Sequence, residues 1–219
     1  MAVLRYAAAL FDLDGTLINS IEDITNALNY AFGPSGVNDL TTTEVTALVG
    51  EGPSKLVQDV LTERNLAADK DVLVTRFIDY YASHPVDKTV LYPGTREMLE
   101  TLKGLKMAIV TNKTGELSRE ILKKFDLDKY FHMVVAVDTI AERKPSPGPV
   151  IYVLSAFNLS PEEAIIVGDS EIDIQTGKAS FVRSVAVTHG YGKSGFQKKA
   201  DFVISSLPEL IDIVKRENG

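Results

Sequence analysis

The strongest constraint on the fold is an alternation of short apolar segments with segments of helical periodicity in the second half of the chain. Each short segment is too brief for a helix, and its unbroken apolar character is typical of a strand buried on both faces. Strands that alternate with helices in this way form a parallel sheet that helices cover on both sides. The predicted strands are Met107–Thr111, Met133–Val137, Ala164–Val167, Ser184–Val187 and Asp201–Ile204.

The first apolar run, Tyr6–Leu10 with Phe11 at its end, predicts one more strand of this sheet. Ser20–His84 shows only helical spacing, interrupted by breakers such as Gly33-Pro34-Ser35-Gly36. Because the chain leaves the sheet and later returns to it, this helical segment is an insertion. We therefore predict an α/β fold, a Rossmann-like parallel sheet core with an inserted helical cap domain. The core domain comprises residues 1–16 and 89–219, and the cap domain comprises residues 17–88.

The composition narrows the class of protein. Of the 219 residues, 45% are hydrophobic and 24% are charged, as in an ordinary globular chain. No apolar run reaches the length that crosses a bilayer, and the N-terminal residues lack the long apolar region of a secretory signal. The chain has no cysteine, which excludes disulfides and thiolate catalysis and fits a reducing cytoplasm. The net charge of −7 argues against a nucleic-acid partner, for which a basic face is expected. From these observations together we expect a cytoplasmic protein with neither nucleic acid nor membrane as a partner.

Two carboxylates follow the first strand, where Phe11-Asp12-Leu13-Asp14-Gly15-Thr16-Leu17 turns away from the sheet. In extended backbone, positions i and i+2 lie on the same side, so Asp12 and Asp14 come close together. Two such charges repel by about 4 kcal/mol at 4 Å and an effective dielectric of 20, which favours a cation between them. Carboxylate oxygens suit Mg²⁺, Gly15 permits a tight turn, and Thr16 offers a hydroxyl for substrate binding. The alternative is an acidic turn that caps the next helix.

Polar residues also follow the later strands of the predicted sheet. Ligands of open α/β sheets bind beyond the carboxyl ends of the strands, near the point where the strand order reverses. We therefore expect one edge of the sheet to gather several carboxylates, a hydroxyl and a lysine. These residues are Thr111, Asn112 and Lys113 after the second strand, Asp138 and Lys144 after the third, and Asp169, Ser170 and Asp173 after the fourth.

Four of these segments, taken in order, resemble the four motifs of the haloacid-dehalogenase-like hydrolases. They are Phe11–Thr16, Val110–Asn112, Lys144-Pro145 and Gly168–Asp173. The resemblance extends from about residue 4 to about residue 210, and the helical insertion stands where that family has a cap. It implies the Rossmann-like fold that the alternation of strands and helices predicts.

The resemblance implies a role for each carboxylate. Asp12 would be the nucleophile, attacking phosphorus to form an aspartyl phosphate. Asp14 would protonate the departing alkoxide and later accept a proton from the hydrolytic water. Asp169, the Asp12 side chain and the Asp14 backbone carbonyl would hold Mg²⁺, the implied cofactor. Asp173 would orient Lys144 or a metal-bound water, although from the residues alone it could be an ordinary surface position.

The resemblance also implies contacts to the phosphoryl group. Thr111 would donate its hydroxyl to a phosphoryl oxygen, joined by backbone N–H groups of residues 13–15 and of Asn112. Lys144 would supply a fixed positive charge beside the carboxylates, with Ser170 as a supporting residue. From the residues alone, Thr111 could instead cap a helix, and Lys144 could be a solvated loop lysine.

Members of this family catalyse several reactions, and the presence of Asp14 argues against some of them. Its dehalogenase and phosphonate-cleaving branches lack this second acid, so we predict a phosphomonoester hydrolase acting on a small phosphorylated metabolite. A phosphonate hydrolase stays open as an alternative because Lys55, near Gly52, is placed like the imine-forming amine of that branch. Sugar-phosphate mutases share both acids and stay open too. Outside the family, the alternatives are a receiver-like phosphoryl-binding signalling domain and a binding protein without turnover.

The predicted cap indicates the substrate. Val49-Gly50-Glu51-Gly52 resembles the cap loop of phosphoglycolate phosphatases, and Leu17–Ser20 and Thr111–Lys113 resemble that branch as well. We therefore predict phosphoglycolate or a similar small phosphate ester as the substrate. The residues expected to bind it include Gly50, Gly52 and Lys55. The chain departs from that branch at Asn19, where an Asp is usual, at Ser146, where a His is common, and at Phe181, where a small residue is expected.

Overall fold

Six strands form one parallel sheet in the computed structural model, which describes residues 6–218. A separate antiparallel pair of two-residue strands lies at the base of the helical insertion. The strands are β1 (Ala8–Phe11), β2 (Ile18–Asn19), β3 (Val90–Leu91), β4 (Lys106–Val110), β5 (Met133–Val135), β6 (Ala164–Gly168), β7 (Arg183–Val187) and β8 (Phe202–Ile204). The order across the sheet is β5-β4-β1-β6-β7-β8, which confirms the predicted fold class.

Strand β1 lies at the centre of the sheet and organises the site. Phe11 pairs in parallel with Ile109 of β4 on one side and with Val167 of β6 on the other. The residues of β1 are all 0% exposed, which requires apolar side chains at every position and explains why this run does not alternate. The chain passes from β1 to β4 on one side and reaches β6 on the other. The strand order therefore reverses beside β1, where open α/β sheets bind ligands.

Helices cover the sheet on both faces. In the described residues they are α1 (Ile21–Phe32), α2 (Thr42–Thr46), α3 (Pro53–Glu63), α4 (Lys70–Ser83), α5 (Thr95–Thr101), α6 (Gly115–Lys124), α7 (Gly148–Phe157), α8 (Glu171–Ala179) and α9 (Glu209–Asn218). Successive strand side chains point to opposite faces, so Phe11 belongs to the core that continues into the insertion, whereas Leu10 packs with Val153 of α7. Within residues 6–218, no helix combines the length and apolar character needed to span a bilayer.

Helices α1–α4 form the insertion, and the two chain segments that connect it to the sheet are tied together. Strands β2 and β3 pair antiparallel, with Ile18 opposite Leu91. The buried carboxylate of Asp23 accepts bonds from the backbone N–H groups of Lys88 (3.0 Å) and Thr89 (2.8 Å) and from the Thr89 hydroxyl (2.6 Å). The division into core and cap domains at residues 17–88 stays a prediction.

Some predicted elements end earlier than the sequence pattern indicates, and two of them are described here. The strand predicted to reach Val137 ends at Val135, because the N–H of Ala136 donates to the Thr139 hydroxyl (2.8 Å) and the chain turns. The possible N-cap residues from Thr41, followed by Glu44, also predict a short helix over Thr41–Leu48, and the structure has it over Thr42–Thr46. Both differences concern element ends, where local hydrogen bonds rather than apolar periodicity decide the boundary.

Candidate active site

The polar residues predicted from the four segments meet at the carboxyl edge of the sheet. Asp12 and Asp14 follow β1, Asn112 lies just beyond β4, and Asp169 follows β6. Lys144 comes from the loop after β5. The Asn112 side chain fixes this loop, because it donates to the Lys144 carbonyl (3.0 Å) and accepts from the Lys144 N–H (3.1 Å). The strand order thus brings together residues that the sequence keeps far apart.

Lys144 is buried between two carboxylates. Its Nζ lies 2.8 Å from Asp12 Oδ1 and 2.6 Å from Asp173 Oδ1, and the residue is 2% exposed. Burial by itself lowers the pKa of this ammonium, but Asp12 and Asp173 outweigh burial and raise the pKa above its ordinary value. Lys144 is therefore charged at neutral pH. The alternatives of a solvated Lys144 and a surface Asp173 are wrong.

Three carboxylates, those of Asp12, Asp169 and Asp173, have one oxygen each within 4.8 Å of one another. Burial raises the pKa of Asp12 to about 6; Lys144 opposes this rise, whereas Asp173 and Asp14 add to it. Burial also raises the pKa of Asp169, and Asp173 and Asp12 add to that rise. The group thus holds more carboxyl groups than the one ammonium of Lys144 can balance when all three are ionised. An all-oxygen donor set with this charge fits a hard divalent cation such as Mg²⁺.

The oxygens of Asp173 are already engaged by protein donors. Lys144 Nζ contacts Oδ1, and the N–H (3.1 Å) and hydroxyl (2.6 Å) of Ser170 donate to Oδ2. Ser170 and Asp173 form the capping box that begins α8, so the start of this helix fixes the carboxylate. These bonds support an orienting role for Asp173 and a supporting role for Ser170.

Asp169 lies directly against the turn that follows Asp14. Its carboxylate accepts bonds from the Thr16 hydroxyl (3.1 Å) and the Tyr191 N–H (2.6 Å), and the residue is 2% exposed. Gly15 has φ +85°, and a Cβ at this position would lie 2.3 Å from Asp169 Oδ2. Glycine is therefore required for the conformation of the turn and for the approach of Asp169. Thr16, predicted to bind substrate, is buried and bonded to Asp169 here.

A second buried ion pair holds the Asp14 carboxylate. Lys113 Nζ lies 3.0 Å from Asp14 Oδ1 and 2.9 Å from Oδ2, and the Ser20 hydroxyl also donates to Oδ1. The Lys113 ammonium donates a further bond to the Tyr81 hydroxyl (2.9 Å). Ser20 is also the residue before α1, so the acidic turn does not itself cap that helix. No role is predicted from the sequence for Lys113 or Tyr81. The position of Lys113 next to Asn112 could have indicated a role in the site, whereas no feature of the sequence marks Tyr81.

Thr111 and the glycine loop of the insertion line the same region. Thr111 is 5% exposed and accepts a bond from the Lys113 N–H (3.2 Å). It does not cap α6, which begins after Thr114. The Asn112 amide donates to the Gly50 carbonyl (2.9 Å). Gly52 has φ +90°, and a Cβ there would lie 2.9 Å from the Asn112 carbonyl, so the loop approaches the core closely.

Two cavities meet at the aspartates. The first, called here the chamber, measures about 70 Å³ and lies between insertion and core. The second is a cleft of about 670 Å³ that Lys55 and Lys144 line. Lys55 pairs with Asp59 one turn further along α3 and does not line the chamber. The chamber is lined by Asp12, Asp14, Thr111, Asn112, Lys113 and Thr114, by Val49, Gly50, Gly52 and Pro53, and by Ile24, Leu56, Phe77, Ile78, Tyr81 and Leu117.

Comparison with known proteins agrees with this geometry. Residues 9–187 match the family model of the haloacid dehalogenase-like hydrolases. The chain belongs to this family. It is 38% identical to a phosphoglycolate phosphatase from Aquifex aeolicus over 94% of this chain and 95% of the relative. It is 33% identical to a phosphoglycolate phosphatase from Chromobacterium violaceum over 98% of this chain and 99% of the relative.

A solved structure agrees as well. The crystal structure of a predicted phosphoglycolate phosphatase from Haemophilus somnus matches with a TM-score of 0.88 and 29% identity, covering 95% of this chain and 97% of that chain. The resemblance inferred from the four motifs is thereby confirmed, and so is the prediction of a phosphatase. The receiver-like and non-enzymatic alternatives are wrong.

Proposed function

We propose that this phosphatase is a Mg²⁺-dependent phosphomonoester hydrolase that acts on phosphoglycolate, or on a similarly small phosphate ester, through an aspartyl phosphate on Asp12. The observation that carries the proposal is the Asp12 carboxylate, held by the buried Lys144 and next to Asp169 at the edge of the sheet. Relatives named phosphoglycolate phosphatases align over nearly their whole length, which supports the choice of substrate.

The residues that would hold the metal are Asp12, Asp169 and the backbone carbonyl of Asp14. When bound, Mg²⁺ screens the nucleophile from the phosphate and stabilises charge on the phosphoryl oxygens. The excess of buried carboxylates over ammonium groups beside Lys144 supports a divalent cation at this place. Asp173 supports the site through Lys144, because both of its oxygens already accept bonds from protein donors.

The two aspartates divide the chemistry between them. Asp12 attacks phosphorus, the ester oxygen departs, and Asp14 gives that oxygen a proton. In the second step Asp14 takes a proton from a water molecule, which attacks the phosphorus of the aspartyl phosphate and restores the Asp12 carboxylate. Lys144 keeps a positive charge beside Asp12 through both steps, because Asp173 stays a carboxylate throughout and Asp12 is one until it is esterified.

Donors around Asp12 would bind the phosphoryl oxygens. We assign this role to the Thr111 hydroxyl and to the backbone N–H groups of Leu13, Asp14 and Asn112. The N–H of Gly15, predicted to join them, already donates to the Ile18 carbonyl (2.8 Å). Thr16 contributes indirectly, through its bond to Asp169.

The size of the chamber favours a substrate with a small leaving group. One water molecule needs roughly 10–15 Å³ of such space, so a chamber of about 70 Å³ holds about five water-sized groups. The glycolate part of phosphoglycolate has a comparable number of non-hydrogen atoms. Gly50 and Gly52 shape one wall, whereas Lys55 faces the larger cleft and pairs with Asp59. This placement does not favour the phosphonate alternative, which needs a free amine at Lys55.

Phosphate release from a panel of esters tests the proposal. The panel contains phosphoglycolate, glycerol phosphate and glucose 6-phosphate, each measured with Mg²⁺ and with EDTA. We expect phosphoglycolate to be hydrolysed fastest, EDTA to stop release, and Asp12→Asn to reduce release to background in every case. Equal phosphate release with Mg²⁺ and with EDTA would contradict the metal requirement. Faster hydrolysis of glucose 6-phosphate than of phosphoglycolate would contradict the assignment of a small substrate. The cytoplasmic location and the absence of a nucleic-acid partner stay predictions from the composition.

A further inference from the structure

Lys113 and Tyr81 have no role in the mechanism above, yet both are buried beside Asp14. The Lys113 ammonium has three donors and three acceptors, namely both carboxylate oxygens of Asp14 (3.0 and 2.9 Å) and the Tyr81 hydroxyl (2.9 Å). Its Nζ also lies 4.2 Å from the centroid of the Tyr81 ring, within the range of a cation–π interaction. All donors of this buried ammonium are therefore satisfied in the observed arrangement.

This arrangement fixes the direction of the Asp14 carboxylate. Both of its oxygens accept from Lys113, and Oδ1 also accepts from the Ser20 hydroxyl. The side chains of Lys113 and Asp14 are 7% and 14% exposed, so little water is available to replace these bonds. Rotation of the carboxylate would leave a buried ammonium without its partner, which is strongly unfavourable. Asp14 thus meets a substrate in one orientation.

The bonds around Lys113 join two parts of the molecule. Asp14 and Lys113 follow core strands β1 and β4, whereas Tyr81 belongs to α4 of the insertion. Tyr81 is 1% exposed and packs edge-on against Phe77, with ring centroids 5.8 Å apart. Its hydroxyl is therefore held rigidly by the packing of the insertion. The orientation of Asp14 depends on both parts.

We propose that Lys113, anchored by the Tyr81 hydroxyl, is a positioning residue that aims the Asp14 carboxyl group at the oxygen of the leaving group. Asp14 lines the chamber in which we place the leaving group, and Lys113 and Tyr81 line it too. The inference rests on the proposed function, because it takes Asp14 as the acid of the first step. A purely structural ion pair would contribute to stability and leave the chemistry of the leaving group unaffected.

Two small substrates with different leaving groups separate these possibilities. Phosphoglycolate releases an alkoxide that needs a proton, whereas acetyl phosphate releases acetate, which is stable as an anion. The ratio kcat/KM reports only the steps up to formation of the aspartyl phosphate, so it isolates the step in which Asp14 acts as an acid. The proteins to compare are the wild type, Lys113→Met, Tyr81→Phe and the control Tyr80→Phe. The control removes a hydroxyl from the neighbouring position of α4, where the ring stacks on Tyr30 outside the site.

We expect Lys113→Met to lower kcat/KM for phosphoglycolate by about 100-fold, at the lower end of the effect of a general acid. Tyr81→Phe should lower it by about 10-fold, since it removes the hydroxyl that accepts from Lys113 and keeps the ring. Both variants should retain kcat/KM for acetyl phosphate within about 3-fold, and Tyr80→Phe should match the wild type on both substrates. Thermal melts followed by circular dichroism show that each variant is folded at the assay temperature. If Lys113→Met does not fold, the Tyr81→Phe measurement decides.

An equal loss on the two substrates, or no loss on either, overturns the positioning role and leaves the proposed function intact. Failure of the wild-type protein to hydrolyse phosphoglycolate, with acetyl phosphate still cleaved, overturns the assignment of the substrate instead. Failure on both esters with Mg²⁺ present overturns both proposals.

Discussion

Two buried lysines lie at the same edge of the sheet, and they differ in what holds them. Lys144 contacts Asp12 and Asp173, and all three residues belong to the core. Lys113 contacts Asp14 in the core and Tyr81 in the helical insertion. The surroundings of the proposed nucleophile are therefore complete within the core, whereas those of the proposed acid also need the insertion.

The two pairs also differ in charge. Lys144 has two carboxylate partners with the Asp169 carboxylate nearby, so full ionisation of this side needs a further cation, which suits a metal ion. Lys113 has one carboxylate partner and one neutral hydroxyl, so it forms a balanced pair. A buried ion pair costs desolvation energy that its Coulombic attraction repays only with good geometry. The difference indicates a metal-binding side and an orienting side of one active site.

The stability of lysine variants gives the largest expected effect. Lys144→Met leaves two carboxylates, those of the buried Asp173 and of Asp12, whose side chain is 14% exposed, without their common cation and should lower the free energy of unfolding by about 3–5 kcal/mol. Lys113→Met leaves a single carboxylate, that of Asp14, whose side chain is also 14% exposed, and should lower the free energy of unfolding by about 1–3 kcal/mol. Urea unfolding at pH 8 with EDTA measures both values. A Lys113→Met protein less stable than Lys144→Met would show that the described difference between the pairs is wrong.

The next largest expected effect is the rise in Tm on metal binding. It tests whether the metal binds beside Lys144 or beside Lys113. A ligand at 100 times its Kd stabilises the native state by about 2.7 kcal/mol, which for a chain of this size raises Tm by about 5–10 °C. We expect this rise with Mg²⁺ in the wild type and in Lys113→Met, and a much smaller rise in Asp169→Asn. Differential scanning calorimetry with Mg²⁺ and with EDTA provides the comparison. If Mg²⁺ raises Tm as much in Asp169→Asn as in the wild type, Asp169 is not a ligand of the metal.

Substitution of Phe181 should have the smallest effect on stability. This residue serves as a reference because it lies outside both lysine–carboxylate pairs. This residue has φ 60° and is 84% exposed, so a bulky side chain occupies the left-handed region without burial in return. Phe181→Gly should relieve this strain and raise the free energy of unfolding by up to about 1 kcal/mol, a rise in Tm of about 2–4 °C. Phosphatase activity should be unchanged. Thermal melts and the phosphate assay check this; a loss of activity would mean that stability changes remote from the site also affect catalysis.

Much of the candidate site could be predicted because its residues follow strands. The apolar run ending at Phe11 predicts where Asp12 and Asp14 lie, and the same reasoning applies to Asp169 after β6. Carboxyl ends of parallel strands share one edge of the sheet, so sequence position relative to a strand becomes position in space. Lys144 follows less directly, because it lies several residues beyond β5 and depends on its bonds to Asn112.

The partners of Asp14 could not be predicted in this way. Tyr81 sits among the apolar positions of α4, and its spacing indicates only that it faces the core of the insertion. Its contact with Lys113 depends on how the insertion packs on the sheet, a relation that neither local periodicity nor strand order contains. Lys55 illustrates the same limit. Its position near Gly52 predicts that it binds substrate, whereas in the structure it pairs with Asp59 and lines the larger cleft.

The α/β fold, the helical insertion and the edge of the sheet at which the carboxylates meet can be inferred from the amino-acid sequence alone, because backbone hydrogen bonding and the burial of apolar residues follow local periodicity. The pairing of the buried side chains is visible only in the folded chain. Lys144 bridges Asp12 and Asp173, and Lys113 joins Asp14 to Tyr81, because each buried charge requires a partner within about 3 Å and distant segments supply these partners.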